Sequence, residues 1–165
     1  MDDDMAEPNL GLFDNERETN LESTIAMIED VLVELGHFIN NCRVDQPGAI
    51  KAWRFKKGSA EVLLALVHAE DFTHLRAACT IMSLDDGVDR SALFARLLEL
   101  NESALCGAAF GLKANQIRLV AERSTRDLDR SEVASLVGNL ENYADDYDEQ
   151  LVAQFGGTLG GPALI

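Results

Sequence analysis

The chain has 165 residues, one domain's worth with room for tails, and its 47% hydrophobic and 26% charged residues are ordinary for a globular protein with its own core. Twenty-nine acidic residues against 14 basic ones give a net charge of −15. That charge repels phosphate backbones and anionic lipid surfaces, so neither nucleic acid nor membrane is an expected partner, while a basic or amphipathic protein segment is compatible with it.

Residues 1–18 carry seven acids and one base, Arg17, together with Pro8 and Gly11, and read as a flexible tail. Their MDDDMAEP start has neither the basic end nor the apolar core of a secretion leader. A first helix is expected from Thr19 or Asn20, with Leu21, Ile25, Ile28, Leu32 and Leu35 on one face and Gly36 ending it. Pro47-Gly48 marks a turn. Ile50–Phe55, Glu61–His68 and His74–Met82 then read as three strands of an antiparallel meander, the first two joined through Lys56-Lys57-Gly58-Ser59. Asp85-Asp86-Gly87 breaks the sheet, and Asp89 caps a second helix that ends near Asn101. Cys106–Leu112 and Gln116–Glu122 form a further hairpin around Lys113-Ala114-Asn115. Asp129, with Glu132 three residues on, caps a last helix of about six turns that Gly156-Gly157 stop. Residues 158–165 are expected to fray. The fold class is thus α+β, an antiparallel sheet with helices in the order α-β-β-β-α-β-β-α, occupying residues 19–157.

The second strand is apolar on both faces, Val62, Leu64 and Leu66 against Leu63, Ala65 and Val67, so it is expected to be central and covered on both sides. One cover would be helices. The other would be a helix, a second subunit or a bound peptide. Its apolar run is the longest in the chain and far too short to span a membrane.

Catalytic patterns are absent: there is no HExxH, GxSxG, P-loop or GxGxxG. Cys42, Cys79 and Cys106 are odd in number, widely spaced, form no CxxC and lie beside or within apolar runs, which reads as buried reduced thiols in a cytoplasmic protein. Cys79 alternates on an apolar strand face and is expected to be an inert core thiol. His68 and His74 bracket a turn holding Glu70 and Asp71, without the ligand spacing of a metal site. Glu141, Asp145, Asp146, Asp148 and Glu149 lie in a continuous helix and are expected to form a solvated face rather than a calcium site. No metal or cofactor is expected. Lys51, Arg54, Lys56 and Lys57 surround Trp53 and Phe55, an arrangement found in single-strand binders but opposed here by the overall charge.

Leu97-Leu98-Glu99-Leu100-Asn101, Gly107-Ala108-Ala109-Phe110-Gly111-Leu112, the stretch Tyr143–Leu151 and Phe155-Gly156-Gly157 together resemble the YbjN-type family of bacterial sensory transduction regulators. That family is similar to type III secretion chaperones. The resemblance covers about residues 20–157 and marks packing and turns rather than chemistry. It implies a non-enzymatic, commonly dimeric domain that binds other proteins.

The expected function is therefore a chaperone-like or regulatory module that holds a client protein, acts as a homodimer and uses an apolar surface containing Trp53, Phe55, Leu64 and Leu66. The alternatives are a small ligand- or metal-binding domain or enzyme whose site is scattered through the sequence, and a structural subunit of a larger assembly.

Overall fold

The computed structural model describes residues 10–69 and 72–161, with side chains from residue 20 onward. The expectations of tails at residues 1–9 and 162–165, and of a turn at Glu70-Asp71, lie outside those residues.

In chain order the elements are α1 (Leu10–Glu34), α2 (Ile39–Cys42), β1 (Arg43–Val44), β2 (Ala49–Lys57), β3 (Ala60–Ala69), β4 (Phe72–Ser83), α3 (Arg90–Ser103), β5 (Ala109–Lys113), β6 (Gln116–Ser124), α4 (Arg130–Phe155) and β7 (Thr158–Leu159). All strand pairs are antiparallel, and the sheet runs β1-β2-β3-β4-β6-β5, with β7 paired to the end of β4. The α+β class and the eight expected elements are present. Helix α1 begins at Leu10, earlier than the expected Thr19, and α2, β1 and β7 are additional. Elements of two to four residues are too short to print a period in the sequence. The strand β7 falls within residues expected to fray.

Local chemistry explains the boundaries. The Asp89 carboxylate accepts from the Ala92 amide at 3.1 Å and starts α3. Asp129 and Glu132 bond reciprocally, each side chain to the other's backbone amide, and start α4. The β5–β6 turn places Ala114 and Asn115 at φ of +48° and +62°, the two-residue turn whose twist matches the strands. Gly157 sits at φ +81°, and a Cβ there would stand 2.6 Å from the Ser83 carbonyl, so only glycine lets the chain turn back along β4.

The larger core lies on one face of the sheet, beneath the helices. Trp53 and Phe55 of β2, Val62, Leu64 and Leu66 of β3, Leu75, Ala77, Cys79 and Ile81 of β4, and Ile117 and Leu119 of β6 pack under Ile28 and Leu32 of α1, Leu93 and Leu97 of α3, and Val133, Val137, Leu140 and Ala144 of α4. The opposite, outer face holds a small apolar cluster of Ala52, Leu63, Ala65 and Val67, with Val44 and Ala49 against it. Strand β3 is central, as its two apolar faces require.

Candidate functional site

The two long edges of the sheet are built differently. At the β5 edge, the β5–β6 turn makes Lys113 and Gln116 the pair that exchange hydrogen bonds, so the backbone groups of Phe110 and Leu112 point away from β6. Asn101, near the end of α3, occupies the first of these positions. Its side-chain oxygen accepts from the Phe110 amide at 2.7 Å, and its amide nitrogen donates to the Phe110 carbonyl at 3.2 Å. The side chain takes the place of a neighbouring strand and closes the edge there. Leu98 and Leu112 stand beside it, 69% and 53% exposed, next to a shallow apolar cavity of about 180 Å³ that also touches Phe94.

At the other edge, β1 pairs with β2 only through Arg43–Trp53 and Val44–Ala52. The loop Gly58-Ser59 joins Lys57 to Ala60, which turns the Lys56 backbone outward. Residues 54–57 thus have no neighbouring strand on that side among the described residues. A cavity of about 420 Å³ opens beside them, between β2 and the turn from α1 to α2. Phe38 stands at its rim 80% exposed, the most exposed of the large apolar side chains described. His37, Cys42, Val44, Phe55 and Glu61 also line it.

A polar network fixes this second edge from below. Glu29 of α1 accepts from Arg43 at 2.8 and 2.6 Å and from the Trp53 indole at 3.1 Å, tying α1 to β1 and β2. Hydrogen bonding from Arg43 holds the Glu29 carboxyl below the usual carboxylate value; burial opposes this and Trp53 adds to it. Glu141 of α4 is buried and bonds both His37 Nε2 and Lys57 Nζ at 3.1 Å, while the His37 ring packs on Phe55 with centroids 4.3 Å apart. Ser59 donates to the buried Asp148.

Three expectations change. Cys42 and Cys79 are buried as expected, but Cys106 is exposed, because it lies in the turn between α3 and β5 rather than within a strand. Glu141 and Asp148 were expected on the solvated face of the last helix, but both are buried, 3% and 5% exposed, because each meets donors from the β2–β3 hairpin or the α1–α2 turn. Asp145, Asp146 and Glu149 are exposed as expected. Trp53, Phe55, Leu64 and Leu66 all lie on the inner face of the sheet and are at most 5% exposed. Beneath the helices they have no free surface, although Phe55 reaches the wall of the 420 Å³ cavity. Sequence pattern showed that these positions were apolar, but a core face and a binding face carry the same alternation. The exposed Phe38 was missed because it sits in a short linker without periodicity.

Three of the four bases around Trp53 are paired with acids: Arg54 and Lys56 meet Glu61, and Lys57 meets Glu141. The Cys79 thiol is pushed up to about 12, first by burial and then by the charges of Asp148 and Glu61, as suits an inert core thiol. Among the described residues no group of His, Cys, Asp and Glu is arranged to hold a metal, and no helix is long and apolar enough to cross a membrane.

A helix-backed antiparallel sheet with one edge capped at Phe110, one edge open, and a cavity of mixed apolar and charged lining beside the open one fits a protein-binding module of the chaperone type. The chain belongs to the TY-Chap1 family, described as T3SS (YopN, CesT) and YbjN peptide-binding chaperone 1, whose model matches residues 22–160. The expected YbjN and type III chaperone kinship is thereby shown. Solved chaperone structures share the fold at low sequence identity. The ExsC–ExsE complex superposes with a TM-score of 0.57 at 14% identity, covering 82% of this chain and 94% of that one. The Yersinia pestis chaperone SycH, with a fragment of YscM2, gives 0.51 at 19% identity, covering 73% and 96%. The Pseudomonas aeruginosa ExoU–SpcU heterodimer gives 0.53 at 15% identity, covering 77% and 96%. No curated protein matches the sequence significantly.

Proposed function

We propose that the chain is a cytoplasmic homodimeric chaperone that acts by binding, without catalysis, and holds an extended segment of a partner protein along the open β2 edge. The observation that carries this reading is the cavity beside residues 54–57 with Phe38 exposed at its rim. An added strand would satisfy the outward backbone of β2, and an apolar side chain would cover Phe38. The family's peptide-binding description supports the reading. The domain of residues 19–157 carries the binding. Trp53, Phe55, Leu64 and Leu66 serve it from beneath, by holding the strand flat against the helices.

A photo-crosslinking phenylalanine analogue at position 38 tests the groove. Cross-links to one reproducible extended segment are expected, and Phe38→Ser should lose capture of that segment. Equal capture by Phe38→Ser would overturn the assignment.

The dimer is assigned to the α3–β5 side, where Leu98 and Leu112 are exposed together and Asn101 leaves little room for an added strand. Light scattering should give twice the 18.0 kDa chain mass at micromolar concentration, and Leu98→Glu with Leu112→Glu should give monomer. A wild-type monomer would remove this part of the reading.

A further inference from the structure

The centre of the outer face is buried, although no helix lies over it among the described residues. Strand register puts Ala52 of β2, Leu63 and Ala65 of β3, and Ala78 and Thr80 of β4 on this face. All five are buried, Leu63 and Ala65 completely. The helix residues of the core pack on the inner face, and the outer cluster around Leu63 contains none of them. On this face Leu63 has Arg54 and Ala78 beside it across the strands, and Glu61 and Ala65 along its own strand. Alanines are too short to roof a leucine, and the Arg54 and Glu61 side chains are drawn together at 3.2 Å on one side of it. Complete burial of such a residue requires a further segment laid across the strands.

The chain itself is led to this face. Strand β7 pairs Thr158 with Ser83 and Leu159 with Met82. The Gly160 amide then donates to the Ile81 carbonyl at 2.9 Å, where β4 slips register between Thr80 and Met82, and the Ser83 hydroxyl donates to the Gly160 carbonyl at 3.3 Å. Gly161 follows on the outer side, where a Cβ would stand 2.9 Å from Gln116 Nε2 and 3.6 Å from the Thr80 methyl. The next four residues, Pro162-Ala163-Leu164-Ile165, have only apolar side chains. Four extended residues reach about 13 Å, and neighbouring strands lie about 4.8 Å apart, so this length crosses from β4 over β3 to β2. Residues 1–9 suit the cluster poorly: Asp2, Asp3, Asp4 and Glu7 would bring carboxylates against alanine and leucine side chains.

We propose that residues 162–165 form a strap that crosses the outer face and seats Leu164 and Ile165 on Leu63, Ala65 and Ala78. The small side chains of the alanines make the trough, and the strap fills it. An apolar patch on a sheet face attracts other chains unless it is covered. With its own residues in place the outer face is closed to partners, which leaves the sheet edges for binding. The strap goes beyond the peptide-binding reading and does not depend on it.

Methyl NMR on the full chain tests the strap directly. Nuclear Overhauser contacts are expected from the Leu164 and Ile165 methyls to those of Leu63, Ala65 and Ala78. In a mixture of differently labelled chains these contacts should remain within one chain. Ending the chain at Gly161 should shift the Leu63 and Ala65 methyl signals and lower Tm by about 4 to 8 °C, the scale of losing two buried aliphatic side chains in a chain of this size. Leu164→Asp with Ile165→Asp should behave like the shortened chain, and Leu164→Val with Ile165→Val should keep the contacts. Absence of the contacts in the full chain overturns the strap whatever the change in Tm. Contacts found only between chains would assign the trough to a second copy, and contacts from Met1 or Met5 would assign it to the acidic start; either result overturns the proposal. Cross-linking from position 38 reads the β2 edge independently, so it can succeed while the strap fails.

Discussion

The two edges of the sheet solve the same problem in opposite ways. Each exposes outward-facing backbone groups, which are unstable company for other chains unless covered. At β5, Asn101 supplies a side-chain amide that imitates a strand and occupies Phe110 on both sides. At β2, the two-residue β1 covers only Ala52 and Trp53, and the chain leaves a cavity with Phe38 exposed at it where the edge continues. An edge closed by design next to an edge left open teaches that the opening is not a defect of a small sheet. Where the chain does not need an edge, it has the means to shut it.

Several changes should break or sharpen that contrast. The largest effect is expected beneath the open edge. Trp53→Ala removes the fully buried indole and should cost about 3 to 5 kcal/mol in urea unfolding. Any loss of partner binding in this variant should track the unfolded fraction. The closed edge comes next. Asn101→Ala strips both bonds from Phe110 and should cost about 1 to 2 kcal/mol, with self-association appearing in size-exclusion chromatography. If Asn101→Ala stays as stable and as dispersed as the wild type, the edge is not held shut by that side chain.

The Glu29 anchor gives a pH dependence. Its folded carboxyl is held below the ordinary value of 4.5, chiefly by Arg43. A lowered folded value means that its contribution is complete above the unfolded value and is lost as pH falls through the folded one. Stability should therefore decline on acidification below about pH 4.5, and Glu29→Gln should flatten that decline while being less stable at neutral pH by about 1 to 2 kcal/mol. An equally steep acid profile in Glu29→Gln would assign the decline to other carboxyls. The smallest effect is expected for Ser59→Ala, which loses one bond to Asp148 and should cost about 1 kcal/mol or less by thermal unfolding.

Much of the architecture was legible in the sequence because its signals are local. The caps at Asp89 and Asp129, the two hairpins and the doubly apolar β3 each follow from neighbouring residues and are all present. The site was not legible in the same way. Trp53 and Leu64 carry the pattern of a buried strand face, and alternation does not say whether helices or a partner bury it. Glu141 and Asp148 sit in an acidic run, and only the fold brings His37, Lys57 and Ser59 to them from 84 to 104 residues away. Asn101 ends a helix in the sequence; that it also completes a strand edge depends on where β5 lies.

Amide hydrogen exchange on the full chain, alone and with the segment cross-linked from position 38 supplied as a peptide, tests the central claim most directly. In the free protein the Phe110 amide should be protected and the outward amide of Lys56 should exchange fast. With the segment bound, Lys56 should gain protection and Phe110 should not change. Protection gained along Phe110 and Leu112 instead, with Lys56 still fast, would contradict the assignment of the open β2 edge as the binding edge.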